Sequence, residues 1–331
     1  MSMFRWIMLK LFFQTNLLEG KLYILLQLIF LIIALVLLER GSDWLVNGAS
    51  DLARHFRVSE LFIGLTIVAF GTSAPELAVS LAGAFTHAGS VAIGNVVGSN
   101  IVNTSFILGI SIFLGTVFVK NQTLKYEIPL VIVSQFIATM LFLKSNSLDF
   151  YDGMVLLSVF AIFMVYVLAT SKNDLKISSE EKNHRLSIAV LLTIAGLVGV
   201  VAGGELGVYA AVNFARTLKV SETLISVTII AFGTSVPELV TSIRAAKKSK
   251  NDLAVGNVMG SNIFNILAIL GLSSLPGRIT TDTSITVDLI FMNAIGLIAF
   301  FIFLNKKREA KKWKGLLLMS IYLIYIVYVL R

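Results

Sequence analysis

The chain has no cysteine, which excludes disulfides and thiolate-held metals. Its three histidines, His55, His87 and His184, are scattered, so no zinc site is expected. There is no phosphate-binding Walker loop, no dinucleotide fingerprint and no nucleophile elbow. ATP-driven pumping and hydrolysis therefore have no support, and the chain reads as a non-enzyme without a cofactor.

Charge is also scarce. Only 14% of the 331 residues are Asp, Glu, Lys or Arg, against 56% hydrophobic. From Leu61 to Val119 the single charged side chain is Glu76. A water-soluble surface cannot be covered on those terms, whereas apolar runs of this length suit a bilayer. The net charge of +8 resides in short Lys and Arg clusters between apolar segments. Those clusters lack the aromatic interleaving of a nucleic-acid groove, so they are read as topology signals and contacts to membrane lipid.

Ten spans are expected, at about 22–40, 60–85, 91–117, 126–143, 151–169, 186–213, 221–243, 253–275, 284–304 and 314–330. The fold class is thus an all-α polytopic membrane protein. Residues 1–21 are set aside as an N-terminal segment of undecided role, and 171–185 as a short cytoplasmic linker. Placing alternate loops on alternate sides puts 18 basic residues on one face, including Arg54, Arg57, Arg244, Lys247, Lys248 and Lys250, and 8 on the other. The positive-inside rule makes the richer face cytoplasmic and leaves both termini outside.

An offset of 162 aligns Gly41–Gly109 with Gly203–Gly271 without a gap, and 28 of the 55 positions from 55 to 109 are identical to their counterparts. Five spans per half is odd, so the second half enters the membrane in the opposite sense. The two repeats, 22–170 and 186–331, are then related by a pseudo-two-fold axis in the membrane plane, an arrangement that places transporter substrates at the repeat interface.

Glu76 and Glu238 occupy matched positions near the middle of apolar spans with no Lys or Arg in their central turns. Two facing carboxylates without a basic partner call for a cation. Pro75 and Pro237 precede them, loosening the turn behind and freeing carbonyls near Gly71, Gly233, Ala69 and Ala231. With the hydroxyls of Thr72, Ser73, Thr234 and Ser235, these are the hard oxygen ligands preferred by Ca²⁺ and Na⁺. The next span of each half carries Ser99 with Asn103 and Ser261 with Asn265 on one helix face, read as lining the ion path. Gly94 with Gly98, and Gly256 with Gly260, form close-packing ridges. Asn95, Asn100, Asn257 and Asn262 either ligate or bond across helices. Asp43 and Glu205 match across the repeat near the span mouths, where an interfacial position or an ion-entry role fits.

The stretches Ala69-Phe-Gly-Thr-Ser-Ala-Pro-Glu76 with Gly94-Asn-Val-Val-Gly-Ser-Asn-Ile-Val-Asn103, and Ala231-Phe-Gly-Thr-Ser-Val-Pro-Glu238 with Gly256-Asn-Val-Met-Gly-Ser-Asn-Ile-Phe-Asn265, closely resemble the two alpha repeats of the calcium/cation antiporter superfamily. The prokaryotic sodium/calcium exchangers are the nearest group. The resemblance implies ten helices in two inverted five-helix halves, in a prokaryotic inner membrane, working as a monomer. It implies a Ca²⁺ site on Glu76, Glu238 and oxygens of Thr72 and Thr234. Na⁺ would use the same pair with Ser73, Ser99, Ser235, Ser261 and the carbonyls of Ala69 and Ala231. It also implies that the first and sixth helices slide across the rest. Archaeal members carry Asp where Asn265 stands, so the Na⁺ stoichiometry and any H⁺ or K⁺ coupling are open. Ca²⁺/H⁺ antiport is the rival reading, and a cation channel a more distant one, since channel pores favour symmetry about the membrane normal.

Overall fold

A computed structural model describes residues 20–86, 88–115, 117–171, 185–218, 231–281 and 285–329. Residues 1–19, most of the expected linker, His87, His184 and the first half of the expected seventh span lie outside the described residues.

Most of the described residues are helical. Helix α1 spans Gly20–Phe56, α2 Glu60–Thr72 and α3 Ala74–Phe85. Helix α4 covers Gly89–Leu114, followed by the two-residue strand β1 at Val117–Phe118. Helix α5 is Thr123–Leu143, β2 Ser147–Leu148 and α6 Phe150–Ser171. The second half runs α7 Leu186–Thr217, the short α8 Ala231–Gly233, α9 Val236–Lys247 and α10 Asn251–Ser273. Then come β3 Ile279–Thr280, α11 Ile285–Phe303, β4 Glu309–Ala310 and α12 Lys312–Val329. Among the described residues, eight helices are long and apolar enough to cross a membrane, and the bent α2–α3 pair makes a ninth candidate. Helices α8 and α9 fall in the expected seventh span, whose first half lies outside the described residues.

The offset of 162 holds beyond the stretch aligned by sequence. Strand β1 pairs antiparallel with β4, Val117 opposite Ala310 and Phe118 opposite Glu309. Strand β2 pairs with β3, Ser147 opposite Thr280 and Leu148 opposite Ile279. Adding 162 to one member and subtracting it from the other converts the first ladder into the second. Each ladder joins the two halves, so the inverted repeats clasp each other at both places.

Helices α4 and α10 form the centre: 78% and 94% of their most apolar windows are buried, against 22% for α1. Gly256 and Gly260 allow α10 to lie directly on α2, for a methyl at either would come within 2.8 Å of a Leu61 or Leu65 backbone oxygen. The counterparts of those α2 residues fall in 219–230, outside the described residues.

Helix α1 does not stop at the expected span end, Arg40, but continues to Phe56. At 37 residues it is about 55 Å long, well over the hydrocarbon thickness. Gly41, Ser42 and Asp43 resemble a helix end in sequence. In the fold, the missing side chain at Gly41 instead serves close approach to α7: a methyl there would lie 2.8 Å from the Gly199 carbonyl carbon. The same seam sets Gly203 against Leu37, the symmetry mate of the Gly41–Gly199 contact. Helices α1 and α7 thus form a long, largely lipid-facing pair lying across the rest.

Candidate functional site

The site begins with a break in each half. Ser73 separates α2 from α3 with φ −83° and ψ 11°, and Ser235 separates α8 from α9 with φ −87° and ψ 8°. Both sit in the sparsely populated bridge region. The cause is the proline two residues on, which has no N–H to continue the preceding helix and suits a new first turn instead. The axis bends by 50° between α2 and α3.

A helix therefore starts deep in the protein in each half, with Glu76 in the first turn of α3 and Glu238 in the first turn of α9. Exposed N–H groups and the positive end of the helix dipole face each carboxylate. Both side chains are 0% exposed.

Their hydrogen bonds cross between the halves. Ser73 Oγ donates to Glu238 Oε1 at 2.7 Å, and Ser235 Oγ to Glu76 Oε1 at 3.1 Å. Within each half, Ser99 Oγ donates to Glu76 Oε1 at 3.5 Å and Ser261 Oγ to Glu238 Oε1 at 3.3 Å. Each carboxylate thus receives one serine from its own half and one from the other. The remaining oxygens, Glu76 Oε2 and Glu238 Oε2, are buried without a hydrogen-bond partner, as are both amide atoms of Asn103 and of Asn265. Among the described residues no basic side chain pairs with either carboxylate. The result is an oxygen-rich set of two acids and four hydroxyls, a composition suited to hard cations.

The threonines are placed less symmetrically. Thr72 Oγ1 donates to the Ala69 carbonyl at 3.3 Å and to Asn257 Oδ1 at 3.1 Å. Thr234 lies in the turn before α9 and completes no well-formed hydrogen bond. Ala69 lies in the last turn of α2 and also accepts from the Ser73 N–H at 3.0 Å. Ala231 opens α8, and its side chain lies outside the described residues.

Asn95 and Asn257 bond across helices. Asn95 Nδ2 donates to the Glu76 carbonyl at 3.1 Å and to Ser80 Oγ at 2.9 Å. Asn257 Nδ2 does the same to Glu238 at 3.3 Å and Ser242 at 2.9 Å. Each amide pins the first turn of an acidic helix to its neighbour. Asn262 Nδ2 donates to Thr104 Oγ1 at 2.8 Å, joining α10 to α4, while Asn100 turns back to the Val96 carbonyl at 2.8 Å. Ser80 and Ser242 were missed in the sequence, although both are repeated and stand four residues after a Glu, on its helix face.

The family profile described as "Sodium/calcium exchanger protein" matches residues 26–169 and 188–331. The "Uncharacterized membrane protein MJ0091" of Methanocaldococcus jannaschii is 33% identical over 297 residues, which cover 90% of this chain and 96% of that protein. "Sodium/calcium exchanger MaX1" of Methanosarcina acetivorans is 34% identical, with the same shares covered. "Inner membrane protein YrbG" of Escherichia coli is 34% identical over 75% of this chain and 80% of its own. Among solved structures, the sodium-calcium exchanger NCX_Mj soaked with 2.5 mM Na+ and 10 mM Sr2+ superposes with a TM-score of 0.81 at 33% identity, covering 92% of this chain and 99% of the other.

Proposed function

Because the chain belongs to the sodium/calcium exchanger family, we propose that it moves Ca²⁺ against Na⁺ by alternating access to the site of Glu76 and Glu238. It is a multi-pass inner-membrane protein of a transporter family, not of an enzyme class. The observation that carries the reading is the crossed serine pattern, in which each buried carboxylate is completed from both halves. An ion held there is held by both halves at once, so movement between them is coupled to its binding and release.

Ca²⁺ takes Glu76 and Glu238 with oxygens of Thr72 and Thr234, its two charges cancelling those of the ionised acids. Na⁺ uses the same carboxylates with Ser73, Ser99, Ser235 and Ser261 and the Ala69 and Ala231 carbonyls. Asn103 and Asn265 line the path as neutral donors and acceptors. Three Na⁺ would leave the site at +1, so exchange at more than two Na⁺ per Ca²⁺ needs no third acid. The working unit is a monomer in lipid with repeats 22–170 and 186–331, the basic face cytoplasmic and both termini outside.

The test is Ca²⁺ flux into proteoliposomes under opposed Na⁺, H⁺ and K⁺ gradients. Uptake driven by outward Na⁺ is expected. Uptake driven by a pH gradient without Na⁺ would replace this reading with Ca²⁺/H⁺ antiport, and single-channel current would replace it with a pore.

A further inference from the structure

The pseudo-two-fold symmetry that governs the centre fails at the ends of the α1–α7 pair. Helix α9 packs along α1, whereas its counterpart α3 has no comparable packing on α7. At the α9 end, Ala245, Ala246, Leu253 and Ala254 share one apolar cluster with Leu45 and Ala49 of α1.

Ion pairs reinforce that docking. Arg244 of α9 donates to Asp43 Oδ1 of α1 from Nε at 2.9 Å, and Nη2 lies 2.7 Å from the same oxygen. Lys248 Nζ stands 2.5 Å from Asp43 Oδ1 and donates to Asn47 Oδ1, one helical turn on, at 2.7 Å. Lys250 to Glu60 at 2.7 Å and Lys120 to Asp252 at 3.0 Å are two more pairs between the halves at this end. Arg244 is six residues beyond Glu238, about 9 Å along the axis, so the cluster lies on the basic-face side of the site.

The opposite end cannot copy this arrangement. Asp43 corresponds to Glu205, which is exposed, while Arg244, Lys248 and Lys250 correspond to Ala82, Thr86 and Ala88. Docking α7 on α3 would bring an acid against residues with no charge to offer it. The two docked arrangements of the α1–α7 pair therefore differ in ionic stabilisation, and a difference of that kind sets their populations.

We propose that Asp43, Arg244 and Lys248 form an ionic latch that holds the α1–α7 pair against α9 and biases the exchanger toward the state closed at its basic face. The inference rests on the alternating-access reading above. Releasing the latch populates the state open to the basic face, so ions bind more readily from that side and less readily from the other.

The experiment measures Ca²⁺ half-saturation separately from each face, in vesicles of known orientation, for wild type, Asp43→Asn, Arg244→Gln/Lys248→Gln and the triple variant. Each variant should lower the half-saturation constant at the basic face and raise it at the opposite face, changing their ratio about threefold to tenfold. The triple variant should add nothing beyond Asp43→Asn, because the groups act through one another. Unchanged constants at both faces, effects in the same direction at both, or additive effects would overturn the latch. Absence of Na⁺-driven Ca²⁺ exchange in wild type would instead overturn the functional reading. Neutralising Glu205 is the control, with no change expected in the ratio.

Discussion

Helix α3 begins Ala-Pro-Glu-Leu and ends Ala-Gly-Ala-Phe, whereas α9 begins Val-Pro-Glu-Leu and ends Arg-Ala-Ala-Lys. The first turns are almost interchangeable because both face the same buried set of oxygens, each carboxylate bonded by the serine of the other half. The last turns point to opposite sides of the membrane and have drifted apart, one toward small apolar residues and the other toward cations. Symmetry is kept where the two helices reach each other's carboxylates and abandoned where they meet different surroundings.

The severest way to break this comparison is to remove one charge at the shared end. Glu76→Gln and Glu238→Gln should each reduce Ca²⁺ exchange by roughly a hundredfold or more, since a divalent ion would keep half of its compensating charge in a poorly solvated site. Proteoliposome flux measures it. Near-normal transport by either variant would place the ion elsewhere, and strongly unequal losses would contradict the equivalence of the two first turns.

A smaller effect sharpens the comparison. Asn95→Ala and Asn257→Ala each unpin a first turn, which should weaken Ca²⁺ affinity by about tenfold. The loss should be greater at Asn257, the one that also accepts from Thr72. Isothermal titration on purified protein would reveal the order, and equal losses would mean that the Thr72 bond contributes nothing.

The smallest effect concerns the serines reaching the acids from within their own halves. Ser99→Ala and Ser261→Ala should raise the Na⁺ concentration needed for half-maximal exchange by about threefold to tenfold, with Ca²⁺ affinity affected less. Weakened Ca²⁺ binding beside an unchanged Na⁺ response would reverse the assignment of these hydroxyls.

Much of this site was legible in the chain because repetition acts as a filter. Glu76 and Glu238 stand out as acids in apolar spans, and finding them at matched positions of inverted halves brings them together without any structure. Pro75 announced a loosened turn, but the placement of the break at Ser73 and the crossing of Ser73 to Glu238 depend on how the halves are seated. The expected span stopped at Arg40 because the apolar run ends there, whereas α1 continues to Phe56 and uses Gly41 and Asp43 for packing and pairing with distant residues. Asp43 looked like a mouth residue for the same reason, since its partner Arg244 lies in the other half. The strands were invisible because two residues carry no periodicity. The full seventh span stays a sequence reading, its first part lying outside the described residues.

The ladder between β1 and β4 has a consequence for the order in which the protein is made. Val117 leaves the ribosome more than half a chain length before Ala310, the residue it must pair with. At a synthesis rate of about 5–20 residues per second that interval is roughly ten to forty seconds. Through that time β1 is a strand edge with open backbone groups and no template, the kind of surface on which other chains can add. Neither half can close its own strands, because each ladder takes one member from the other half. Final closure of the molecule is thus a late, post-insertion event, and a chain truncated before Glu309 would leave β1 permanently open.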